Sequence, residues 1–80
     1  MVKVVIFDLD DTLYDRFGQL DETYKNLPNI KLFEGVIDVL KAVKVPKVLV
    51  SFGDYAIQQK KIEVLGVRKY FDEVEICATL

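Results

Sequence analysis

Two aspartates, Asp8 and Asp10, stand one residue apart directly after an apolar run, and Thr12 follows shortly after. Side chains alternate along an extended backbone, so Asp8 and Asp10 point the same way while Leu9 points away. Two carboxylates this close repel each other, and a cation between them relieves the repulsion. A hard divalent ion with oxygen ligands, Mg2+ above all, suits that position. With the charge screened, one carboxylate can attack an electrophilic phosphorus. The second can protonate the leaving oxygen and later activate water. The spacing alone leaves a plainer reading open, because paired acids after a strand also cap helices and form turns. A second polar group, Ser51, ends another apolar run, Val48-Leu49-Val50.

The elements that must position these groups are legible in the hydrophobic pattern. Val2 to Phe7 is nearly all apolar, rich in β-branched residues and does not alternate, which predicts a strand buried on both faces. Tyr14 to Leu32 has no sustained period and carries Gly18 and Pro28, so it reads as loop with one helical turn at most. Phe33, Val36, Ile37, Leu40 and Val43 recur at helical spacing until Val45 and Pro46 stop the helix. Lys47 to Ser51 is a second strand. Asp54 caps a second helix, Tyr55 to Leu65, which Gly66 closes. Lys60 and Lys61 belong to a polar run on that helix and read as solvated. After a short turn over Val67 to Phe71, Glu73 to Cys77 is a third strand. Short links and helical crossovers require parallel strands joined right-handedly. The fold class is therefore α/β: a βαβαβ half of a doubly wound, Rossmannoid parallel sheet. Sites in such sheets lie beyond the carboxyl ends of the strands, where Asp8 and Ser51 become neighbours.

Composition narrows the function classes. The chain has 80 residues, 51% apolar and 30% charged, enough for one domain and too ordered in composition for disorder. Eleven basic and thirteen acidic residues give a net charge of -2, which argues against a nucleic-acid footprint. No histidine is present, so imidazole takes no part in any scheme. The single cysteine, Cys77, allows no internal disulfide; a cytoplasmic chain fits this, with Cys77 as an ordinary apolar residue. The apolar amino terminus is too short for a signal peptide and ends in acids, and nothing approaches a membrane span.

The full string Val4-Val5-Ile6-Phe7-Asp8-Leu9-Asp10-Asp11-Thr12-Leu13-Tyr14 resembles the first motif of the haloacid dehalogenase (HAD)-like hydrolase superfamily. Val48-Leu49-Val50-Ser51 resembles its second motif, and Lys61 to Val67 with Tyr70-Phe71-Asp72 is similar to the helix and turn that follow in many members. The resemblance implies that Asp8 is the nucleophile that forms an aspartyl-phosphate and a Mg2+ ligand. It implies that Asp10 is the general acid/base and reaches the metal through its backbone carbonyl. The implied phosphate-binding set is Leu9, Thr12, Ser51 and Phe52, with Thr12 orienting the loop and Ser51 holding phosphoryl oxygens together with the following amide. The dehalogenase branch lacks the second aspartate, so Asp10 points to phosphatase chemistry. Asp11 reads as a solvated turn acid, and Asp54 as a cap. Ser51-Phe52-Gly53 departs from the Thr-Asn-Gly common in the family.

The family's third-motif lysine or arginine and fourth-motif acids are not found in residues 1–80, nor is a fourth strand beside the first. The expectation is a partial domain with little activity alone. Residues 15–32 are too few for an inserted cap, which leaves a site open to a bulky substrate or closed by another subunit; the implied partner is a phosphorylated substrate, small or bulky. The alternative is a non-catalytic binding or assembly module that self-associates through the apolar edge of the first strand. A receiver-domain reading is set aside, because its phospho-acceptor would end the third strand, where Ile76-Cys77-Ala78 stands.

Overall fold

The computed structural model describes residues 4–21 and 23–78. Three parallel strands, β1 (Val5–Asp8), β2 (Lys47–Phe52) and β3 (Glu73–Cys77), form one sheet in the order β1-β2-β3. The chain is thus a small α/β unit of the expected strand–helix–strand alternation. Val2 and Lys3 of the expected first strand lie outside the described residues. The helices are α1 (Arg16–Gln19), α2 (Val36–Ala42) and α3 (Tyr55–Leu65), with short 3-10 turns at Leu27–Asn29 and Arg68–Tyr70.

Because each strand is added on the same side of its predecessor, right-handed crossovers place α2 and α3 on one face of the sheet. The register shows which face. Phe7 pairs with Leu49, and Leu49 with Val74, while Ser51 pairs with Ile76. Leu49 and Ser51 are fully buried, and Phe7, Val74 and Ile76 pack against the same core as Leu40 of α2 and Ile62 and Leu65 of α3. The Phe71 ring meets Phe7 edge-on at 5.7 Å.

The other face carries Val4, Ile6, Val48, Val50 and Phe52, with Glu73 and Glu75 alongside them on β3. Ile6 is 66% and Phe52 57% exposed. This corrects the expectation of a first strand buried on both faces. Burial alternates along β1, since only one face of the sheet is covered among the described residues. Cys77, expected to behave as an apolar residue, is exposed at the end of β3.

Local chemistry sets the element ends. Helix α2 begins at Val36 instead of Phe33, because Gly35 adopts a left-handed φ of 86° and a turn closes from Val36 N to Phe33 O. The Asp54 carboxylate caps α3 by accepting the Ile57 amide at 3.1 Å, and Gly66, with φ 67°, ends it. At the other end of the sheet, Asp72 clamps β2: its side chain accepts the Lys47 amide and its own amide donates to the Lys47 carbonyl, both at 2.8 Å.

Residues 15–32 carry the one helical turn expected and a 3-10 turn besides. They contain α1, capped by Asp15, and the 3-10 turn at Leu27–Asn29. Both ends are fastened: Tyr14 forms a bridge with Leu32, and Phe33 N donates to Leu13 O at 2.9 Å. The Gln19 amide group pairs with the Lys31 backbone in both directions, at 2.7 and 2.9 Å. Leu20 and Ile30 reach the core, and the 3-10 turn packs on α3.

Candidate functional site

The loop after β1 is a single tight turn. Leu9 O accepts from Leu13 N at 3.0 Å and from Thr12 N at 3.4 Å, and Asp11 takes a left-handed φ of 59°. Leu9 and Leu13 sink fully into the core, which anchors the turn and leaves Asp8, Asp11 and Thr12 exposed. Asp11 is the turn acid expected; its carboxylate accepts the Phe17 amide at 3.1 Å. Asp8 ends β1 beside Val50, one position before Ser51 on β2. The fold therefore brings Asp8, the Asp10 loop and Ser51 to one end of two adjacent strands.

Asp10 is held differently from what its spacing to Asp8 implies. Its Oδ1 accepts a hydrogen bond from the Tyr14 hydroxyl and another from Lys61 Nζ at 2.8 Å. Lys61 is 0% exposed, whereas the Asp10 side chain is 23% exposed. The Lys61 ammonium lies 5.8 Å from the ring centres of both Tyr14 and Tyr24. Burial, followed by the hydrogen bond to Asp10 and its negative charge, drives the Tyr14 phenol far above its usual ionisation range. The expectation that Lys61 is solvated is overturned: the insert lays Tyr24 over α3, and the loop supplies Asp10 as the counter-charge. Lys60, its neighbour, is exposed as expected.

Ser51 lies where expected, but its hydroxyl is fully buried and donates to Gln58 Oε1 at 3.0 Å. Gln58 Nε2 donates in turn to the Phe52 carbonyl at 3.3 Å. Gln58 thus pins the Ser51-Phe52-Gly53 turn from below. A side chain at Gly53 would collide with it: a Cβ there falls 2.5 Å from Gln58 Nε2, at a φ of 144°. Leu9 contributes a fully buried side chain, so only its backbone can face a ligand. Phe52 turns to the open face of the sheet.

No group of three acidic or cysteine side chains is arranged to hold a metal among the described residues. A cleft of about 270 Å3 lies beside the loop, lined by Phe7, Thr12, Leu13, Val36, Val39 and Leu40 with Glu34 and Gly35. It meets the loop only through Thr12 and Leu13; Asp8, Asp10 and Ser51 are not part of its wall. No described helix is long and apolar enough to cross a membrane.

The sequence contained a signal for both missed residues. Ile57, Lys61 and Leu65 follow one another at four-residue spacing, and Gln58, Ile62 and Leu65 share the adjoining stripe, so Lys61 and Gln58 sit on the inward face of α3. Neither a protein-family model nor a curated protein sequence matches the chain.

Proposed function

We propose that the chain carries the nucleophile loop of a Mg2+-dependent phosphoryl-transfer domain of HAD-like, doubly wound type, with Asp8 as nucleophile and Asp10 as acid/base. The observation that carries this reading is the placement of Asp8, the Asp10 turn and Ser51 together at the carboxyl ends of β1 and β2. Such strand ends are where open parallel sheets hold their ligands.

In this scheme an oxygen of Asp8 attacks the phosphorus of a phosphomonoester, and the bond to the leaving oxygen breaks as Asp10, entering the step protonated on Oδ2, delivers that proton to it. Water then attacks the phosphorus of the aspartyl-phosphate, Asp10 takes the proton, and inorganic phosphate and free Asp8 result. Tyr14 and Lys61 both engage Oδ1 of Asp10, which in this scheme leaves Oδ2 for both proton transfers. The backbone of the Leu9–Thr12 turn and of Ser51-Phe52 faces the phosphoryl oxygens, while the Ser51 hydroxyl holds that turn in shape through Gln58.

The donor chemistry fits a hard cation in part. Asp8 offers an exposed carboxylate, and Asp10 fits through its carbonyl, since an ammonium beside its carboxylate disfavours a metal there. The ion supplies charge screening that lets one anion approach another.

Incubation with acetyl phosphate and Mg2+ tests this reading by intact-mass and peptide mapping. One phosphoryl group is expected on the peptide containing Asp8, absent with chelator and in Asp8→Asn. Undiminished labelling of Asp8→Asn overturns the proposal.

A second reading, an assembly module, draws on the outer edge of β1, which pairs with no described strand, and on the exposed Ile6 beside it. Concentration-independent monomer in sedimentation velocity would dismiss it.

A further inference from the structure

A lysine with no exposed surface is costly to bury, and packing gives no reason for one here, since a methionine or leucine would fill the same space without desolvating a charge. What distinguishes Lys61 is where its ammonium is aimed. Two aromatic rings flank it at equal distance, and the carboxylate it meets is Asp10 Oδ1. Tyr14 serves both partners, presenting its ring to Lys61 and its hydroxyl to Asp10. The far ring comes from Tyr24, whose backbone has φ 56°, a conformation that bulky residues rarely adopt. Strain of this kind persists only where the surroundings over-determine it.

Two donors converge on one carboxylate oxygen from different directions. One arrives four residues along the same turn, the other from α3, far along the chain. Together they fix the rotation of the Asp10 side chain and leave Oδ2 without a donor among the described residues.

We propose that Lys61 and Tyr14 are positioning residues that lock Asp10 by Oδ1 so that Oδ2 faces the reacting group. The inference rests on the acid/base role given to Asp10 above. Neither Lys61 nor Tyr14 touches substrate; they act through Asp10.

Two measurements on the full chain test it separately from that role. The first is the Asp10 χ1 rotamer, read from three-bond NMR couplings. A single rotamer is expected in the wild type and in Lys61→Arg, and averaging in Lys61→Met and Tyr14→Phe. A general loss of stability would not produce averaging at Asp10 alone in chains that remain folded. One unchanged rotamer in both Lys61→Met and Tyr14→Phe overturns the proposal.

The second measurement follows the phosphorylated chain after acetyl phosphate is removed. Acetate leaves without an acid's help, so the aspartyl-phosphate forms in Lys61→Met, but its hydrolysis is expected to slow by about tenfold or more, within the range general-base assistance supplies. Lys61→Arg should restore most of the rate. Hydrolysis at the wild-type rate in Lys61→Met overturns the positioning role. A wild type that never takes up a phosphoryl group overturns the functional reading instead, and the couplings then decide the lock alone.

Discussion

The Lys61–Asp10 pair should respond asymmetrically to truncation from its two ends. Removing one partner of a buried ion pair costs about 3–5 kcal/mol, because the other charge is left without compensation. Asp10→Ala strands an ammonium that has no exposed surface and leaves the Tyr14 hydroxyl without its acceptor. The full cost of about 3–5 kcal/mol therefore applies. Lys61→Met leaves a carboxylate that is 23% exposed and still hydrogen-bonded by Tyr14. The charge-assisted bond it loses is worth about 1.5–3 kcal/mol, partly offset by not desolvating an ammonium, so about 1–2 kcal/mol is expected. The methionine fills the stem's place in the packing. Combining Lys61→Met with Asp10→Ala should then give a chain more stable than Asp10→Ala alone, by about 1–2 kcal/mol. Urea unfolding followed by circular dichroism reads these differences; at about 1 kcal/mol per molar, each kilocalorie moves the midpoint by about 1 M. The whole chain is expected to hold about 4–12 kcal/mol, so Asp10→Ala can approach the limit of foldedness. An Asp10→Ala chain as stable as Lys61→Met, or a double variant whose loss equals the sum of the singles, would refute the buried, coupled pair.

Two further outcomes follow from single contacts. The Tyr14 phenol is raised above its ordinary value of 10.0, so its contribution to stability is complete below that pH and is lost as pH rises beyond it. Tyrosinate absorbance should show one ring that ionises only with unfolding, a step missing from Tyr14→Phe; a smooth non-cooperative titration of every ring would contradict this. Gly53→Ala should cost about 1–3 kcal/mol through its φ of 144° and its clash with Gln58, measured as a lowered urea midpoint; a neutral effect would show the turn to be loose.

The sequence displayed the sheet and α3 well, for reasons of local chemistry. Short β-branched runs, a capping aspartate at Asp54 and a left-handed glycine at Gly66 each act within a few residues of where they are read. The start of α2 is not legible in the period, because Phe33 continues the helical spacing while Gly35, two residues later, breaks the helix. The open face of β1 is not legible either, because an apolar run looks the same whether one side or two are covered. The gathering of Asp8, the Asp10 turn and Ser51 at one end of the sheet was legible from their positions after strands. Lys61 and Gln58 were not, since a polar stretch reads as solvated until a distant segment supplies its partners. Lys61 meets its carboxylate across 51 residues of chain. Stripe position along α3 was the one local clue.

The strand order β1-β2-β3 has a consequence for how the chain is made. Position in the sheet follows position in the chain, so each strand, as it emerges from synthesis, finds its neighbour already in place. Among the described strands none waits for a later one, and each is added on the side away from the outer edge of β1. Among the described strands, the outer edge of β1 is presented first and stays unpaired while β2 and β3 are added, a template for β-pairing over that interval.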